Sequence, residues 1–255
     1  MEQAARLARL GDRIVSFVAA ALIMLMLLYG GYSLWDTAMV FNGAFVSSDL
    51  LKFKPTGDGD GNPTLAELQQ INPDCRAWLT VDDTHIDYPV VQGKDNLEYI
   101  NTDVYGDFAL SGAIFLDSSN SPDFSDPYSL VYGHHMENGA MFGDIVEFVR
   151  QDYFDAHTTG TLYLPDSTYH ITLFACVQAD AYDQTVFQPT AQGEDVSGLL
   201  DYLNERAIHY RDIGVTASDH IIGLSTCAET ETNGRVIVFG RLDPVNEAPK
   251  EDQNK

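Results

Sequence analysis

Cys227 closes an apolar run rich in β-branched residues, Ile221-Ile222-Gly223-Leu224-Ser225-Thr226-Cys227, and Arg235 stands near the start of a second, Gly234-Arg235-Val236-Ile237-Val238-Phe239-Gly240-Arg241-Leu242. Runs of this composition, bounded by Gly and polar residues, predict strands, with a thiol at the end of one and a guanidinium at the start of the next. A cysteine so placed could attack a carbonyl carbon. An arginine, charged at any working pH, could hold the substrate or the negative charge that develops on its oxygen. The same residues equally suit a buried core cysteine in a hairpin, because free Cys is among the most buried residue types. A histidine must decide between the two.

Ser129-Leu130-Val131-Tyr132-Gly133-His134-His135-Met136 offers one. A strand that ends in Tyr-Gly and then presents a His has the turn needed to project an imidazole from the rim of a sheet. Strand alternation faces His135 away from His134 and makes it a replaceable loop residue. His85, His157, His170, His209 and His220 have no such setting. Adjacent histidines can also hold a metal, but no HExxH pattern or CxxC pair accompanies them, so neither metal nor cofactor is expected.

The elements that must position these residues begin with Ile14 to Trp35, IVSFVAAALIMLMLLYGGYSLW, which carries no charge. That is long enough for a bilayer core needing about 20 apolar residues, and longer than the apolar region of a cleavable signal peptide. Arg6, Arg9 and Arg13 precede it and an acidic chain follows, so the positive-inside rule puts residues 1–13 in the cytoplasm, 14–35 in the membrane as a signal anchor, and the rest outside the cell. Taking these three Arg, with Glu2 and Asp12, from totals of 14 basic and 38 acidic residues leaves 11 against 36 outside. That much negative charge repels phosphates and excludes nucleic acid as a partner. Outside the cell the odd number of cysteines, Cys75, Cys176 and Cys227, leaves at least one thiol without an internal partner, here assigned to Cys227. No spacing argument supports a Cys75 to Cys176 disulfide.

Residues 36–63 read as a stalk or linker that ends in a Gly and Asp cluster. Its Asp-x-Asp-Gly lacks the acid that a calcium loop needs at its twelfth position, which falls on Gln69. Thr64-Leu65-Ala66-Glu67 has the pattern of a capping box opening a short helix that ends at Asn72-Pro73. Strands are expected at 77–81, 86–91, 113–116, 129–132, 161–164 and 169–179, which with the two opening runs makes about eight. Helical segments are expected at 95–99, in pieces over 141–157, and at 197–211. The class is therefore mainly β, a barrel or sandwich with helical decorations. The folded domain covers 64–243, followed by a polar tail over 244–255.

Taken together, the Tyr-Gly-His-His-Met segment, the Leu-Ser-Thr-Cys at a strand end and the Arg opening the next strand, in this order after a signal anchor, resemble the sortases of Gram-positive cell surfaces. The resemblance runs from about residue 65 to 242. Asn72-Pro73-Asp74, Ile86-Asp87-Tyr88-Pro89-Val90-Val91-Gln92, Gly112-Ala113-Ile114-Phe115-Leu116-Asp117 and the helix before the cysteine strand are similar to class B in particular. One departure is Gly223, where the family's Thr-Leu-x-Thr-Cys has Thr. Asp126-Pro127-Tyr128 is similar to the lid segment of class C enzymes but reads here as a turn. The resemblance implies a closed eight-stranded barrel and a membrane-held cysteine transpeptidase whose catalytic domain is extracellular. Cys227 would attack the carbonyl of a threonine in the sorting motif of a secreted protein and form a thioacyl enzyme. His134 would move protons and Arg235 would hold the substrate or oxyanion, with Thr226 at the oxyanion site and Ser225 and Glu229 touching substrate. The acceptor would be an amine of cell-wall peptidoglycan or its precursor, with a pilin lysine as the alternative.

Overall fold

The computed structural model describes residues 2–41, 44–57, 61–136, 138–227 and 234–245. The Asp-Gly stretch at 58–60, Glu229 with the rest of the acidic link, the tail beyond Val245 and the side chain of Cys227 lie outside the described residues. The chain forms two compact units, divided between Asn42 and Gly43. The first is helix α1, Glu2–Phe41, whose stretch Arg9–Ala38 is long and apolar enough to cross a bilayer.

The second unit opens with α2 (Ser48–Leu51) and α3 (Pro63–Ile71), followed by strands β1 (Cys75–Val81), β2 (Asp87–Val91), β3 (Ile114–Leu116) and β4 (Tyr128–His134). A 3-10 helix (Gly143–Val149) and α4 (Gln151–Ala156) lead to β5 (Thr159–Tyr163) and the long β6 (Thr168–Asp180). Then come α5 (Gln184–Phe187), a second short 3-10 turn, α6 (Ser197–Arg206), the two-residue β7 (His209–Tyr210), β8 (His220–Cys227) and β9 (Gly234–Pro244). The sheet runs β5-β1-β2-β3-β4-β8-β9-β6, and β6 pairs back to β5. Eight strands therefore close into a barrel without free edges, and β7 is a short addition beside β6.

Strand alternation divides the residues around the β4-β8-β9-β6 half of the barrel into two sets. Tyr128, Leu130, Ile221, Ile237, Phe239 and Val177 form one cluster with Leu199 and Leu203 of α6. An eight-stranded barrel has room inside only for side chains, so the helix must cover the outer face. Val131, Leu224 and Val238, which pair across neighbouring strands in the alternate positions, fill the interior. A second outer cluster gathers Leu65 and Leu68 of α3 with Trp78, and it also takes in Leu50 and Phe53 of the segment 44–57. That segment is fastened further by the Lys54 Nζ to Asp87 Oδ2 ion pair at 2.6 Å and by the Tyr88 hydroxyl, which donates to the Ala44 carbonyl at 3.0 Å.

Three local expectations change. The capping box does not form: α3 starts at Pro63, and Asn62 before it sends its amide to the Leu164 carbonyl at 2.6 Å, while Thr64 Oγ1 is buried without a partner among the described residues. Helix α6 stops at Arg206, because beyond it the Ile208 amide bonds the Cys176 carbonyl of β6 and the chain becomes β7. Residues 95–99 form turns, since Asp95 Oδ1 accepts from the Leu97 amide and Glu98 from the Lys94 amide, side-chain bonds that compete with helix. Cys75 and Cys176 are unpaired thiols on β1 and β6, both fully buried, and burial pushes each up to about 12.

Candidate active site

β4 and β8 run parallel through seven consecutive pairs, from Tyr128 opposite Ile221 to His134 opposite Cys227. Neighbouring strands lie about 4.8 Å apart, so the last pair sets these two backbones side by side at the barrel rim. β9 returns antiparallel to β8, with Ser225 opposite Ile237, and two residues outward from that pair stand Cys227 and Arg235. Arg235 in turn faces Ala179 of β6. Strand order and register thus bring His134, Cys227 and Arg235 to three adjacent strand ends.

His134 is half-buried, and its Nε2 lies 2.7 Å from the carbonyl oxygen of Ile100. Arg235 is half-exposed, and among the described residues its guanidinium forms no ion pair. It lines a groove of about 590 Å³ together with His135, Val146, Val149, Gln178 and Thr226. His135 therefore points to a different side from His134; its Nδ1 is buried without a hydrogen-bond partner among the described residues. Thr226 is buried, and its hydroxyl spans to Val236, whose amide donates to it at 3.4 Å. Ser225 has no exposed surface, and its hydroxyl donates to the Thr226 carbonyl at 3.3 Å. Thr226 lines the groove, whereas Ser225, on the opposite face of β8, does not.

Two features beside these residues are given no role by sequence reasoning. The Ile100 carbonyl is one of many identical backbone groups, and only the fold places it against His134. Asp117, buried at the end of β3, accepts from the Tyr132 hydroxyl at 2.9 Å and from Asn96 Nδ2 at 2.8 Å, tying the strand that carries His134 to the loop that carries Ile100. Gly223 also finds its reason here: a Cβ at this position would come within 2.6 Å of the Tyr128 hydroxyl. Tyr128 opens β4, is fully buried, and stacks on Phe239, so the Asp-Pro-Tyr segment leads into the sheet.

The family model described as the Sortase domain matches residues 79–243. The chain belongs to the sortase family, and to its class B. It is 34% identical over 191 residues to Sortase B of Listeria monocytogenes, covering 72% of this chain and 76% of that one. The crystal structure of a Streptococcus pyogenes class B sortase involved in pilus biogenesis is similar at 40% identity and a TM-score of 0.64, covering 70% of this chain and 97% of that one. Sortase B from the Type II pilus of Streptococcus pneumoniae is similar at 41% identity and a TM-score of 0.60, covering 71% and 98%. As a sortase, the protein is a cysteine transpeptidase.

Proposed function

We propose that this sortase cleaves a sorting motif after a threonine in secreted surface proteins, holds the acyl part on Cys227 and passes it to an amine. The observation that carries this reading is the pairing of His134 with Cys227 at the ends of two parallel strands, with Arg235 beginning the next. The Cys227 thiolate attacks the threonine carbonyl, and the oxygen's developing charge meets the Arg235 guanidinium, which stays charged throughout. His134 protonates the leaving amine and later takes the proton of the incoming one. Helix α1 supplies the anchor that holds this chemistry at the outer membrane surface.

For the acceptor we take the amine of peptidoglycan or its precursor. A pilin lysine is the second reading, favoured by the identity of 40% and 41% to two sortases of pilus systems.

Mass spectrometry of the protein incubated with threonine-containing sorting peptides tests the reading. A thioacyl adduct on Cys227, absent in His134→Ala and retained in His135→Ala, is expected. Loss of the adduct only in His135→Ala would overturn the assignment, and no adduct with any peptide would overturn the function. Adding a wall-type peptide amine or a pilin-type lysine peptide to the acyl enzyme separates the two acceptors by which product forms.

A further inference from the structure

The bond from His134 to Ile100 fixes more than a ring position. A carbonyl oxygen can only accept, so at 2.7 Å from it Nε2 must carry the hydrogen. In the neutral ring that leaves Nδ1 with the lone pair, and among the described residues no group bonds to Nδ1.

The carbonyl is itself held from several sides. Asn96, at the start of its loop, gives its amide to Asp117 at 2.8 Å and accepts from the Ser118 amide at 2.7 Å. Tyr99, next to Ile100, donates its hydroxyl to Asp74 at 3.0 Å, receives Asn72 Nδ2 at 3.0 Å, and has a ring only 5% exposed. Its backbone carbonyl accepts from the Ala113 amide at 3.1 Å. Gly112 sits directly against the Ile100 and Tyr99 carbonyls at φ +60°, where a Cβ would collide with the Ile100 oxygen. Both the left-handed backbone and the close approach require glycine.

We propose that the Ile100 carbonyl sets the tautomer of His134, with Tyr99 and Gly112 as positioning residues, and that Nδ1 is the atom that carries the proton through the reaction. This rests on the reading of His134 as the acid and base of the site. Nδ1 takes the proton from the Cys227 thiol, breaking S–H and forming N–H, while Nε2–H stays bonded to Ile100. As the thiolate attacks and the scissile C–N bond breaks, the Nδ1 proton passes to the leaving nitrogen. In the second half an incoming amine attacks the thioester and gives its proton to Nδ1, the C–S bond breaks to release the thiolate, and return of the Nδ1 proton to sulfur restores the thiol and the neutral ring. The ring never has to turn over between the two halves.

The test uses the full chain in detergent with ¹⁵N-labelled histidine, the His134 signals being assigned by their loss in His134→Gln. The expected neutral form has Nε2 in the protonated type of resonance and Nδ1 in the unprotonated type; the reverse pattern would overturn the proposal without any further variant. Gly112→Ala and Tyr99→Phe should each give a mixture of tautomers and lower kcat for thioacyl formation by about 10- to 100-fold, the scale of a small misplacement, with KM moving far less. If Gly112→Ala does not fold, Tyr99→Phe, which keeps the ring, carries the comparison. A tautomer mixture with unchanged kcat would also overturn the proposal. Thioacyl formation that survives in His134→Gln would instead remove the underlying reading of His134.

Discussion

Arg235 stands at the edge of the groove, and its replacement by Lys separates geometry from charge. Lys keeps the charge and loses the planar fork that can hold a carbonyl oxygen through two donors. We expect Arg235→Lys to lower kcat/KM for peptide cleavage by about 100-fold or more, the scale seen when one donor to a developing oxyanion is lost. A steady-state assay showing a drop of only a few-fold would assign Arg235 to charge alone. At this scale the sequence is uneven in what it discloses. Cys227, His134 and Arg235 can be singled out because Gly and polar residues punctuate the strand ends that bear them. Ser225 cannot be placed that way, since it and Thr226 lie on opposite faces of β8 and both are buried, so alternation alone does not tell which of them reaches the groove. The Ile100 carbonyl is beyond reach for a different reason, every residue having one.

Among the elements, β8 shows how a departure in one strand is answered by another. Gly223 leaves the space that the Tyr128 ring occupies, and the Tyr128 hydroxyl is buried with no partner among the described residues. Gly223→Thr should therefore destabilise by about 1–3 kcal/mol through overpacking, with a smaller cost in a Tyr128→Phe background that removes the nearest atom. Tyr128→Phe alone should be neutral or stabilising, because it deletes an unsatisfied buried hydroxyl. Urea midpoints of the four proteins check this, and equal costs of Gly223→Thr in both backgrounds would show that the two positions are independent. Element types are readable where period and punctuation agree, as in the eight barrel strands. They fail where tertiary pairing overrides a local pattern, as when the helical spacing beyond Arg206 yields to pairing with β6.

For the molecule as a whole, the residues just after α1 belong to the fold's stability. Leu50 and Phe53 are buried against α3 and β1, so a soluble form beginning at Thr64 exposes their seat and also loses the Lys54 ion pair. Burial of one such side chain contributes about 1.5–3 kcal/mol, and we expect the form beginning at Ala44 to be more stable by a margin of that order, read from urea unfolding as the higher midpoint. Alkali should act on the barrel too. Cys75 and Cys176 are held up to about 12 in the folded state against an ordinary value of 9.0, so the folded protein keeps protons that the unfolded chain releases. Stability from this source is complete below pH 9 and is lost as pH rises towards 12, at about 1.4 kcal/mol per pH unit for each thiol. The fall in urea midpoint between pH 8 and pH 10.5 should shrink in a Cys75→Ala, Cys176→Ala variant, whose lower baseline reflects the cavities it creates. The closed strand order also has a consequence in time. β4 is made early in the chain and β8 late, with β5, β6 and α6 between them, yet they are neighbours in the sheet. On the signal-anchor reading, the part beyond the span is delivered in chain order, and His134 reaches the outside well before the strand bearing Cys227 follows. On the roles proposed above, the nucleophile meets its base only when the last strands insert, so a half-folded molecule would form no thioacyl enzyme.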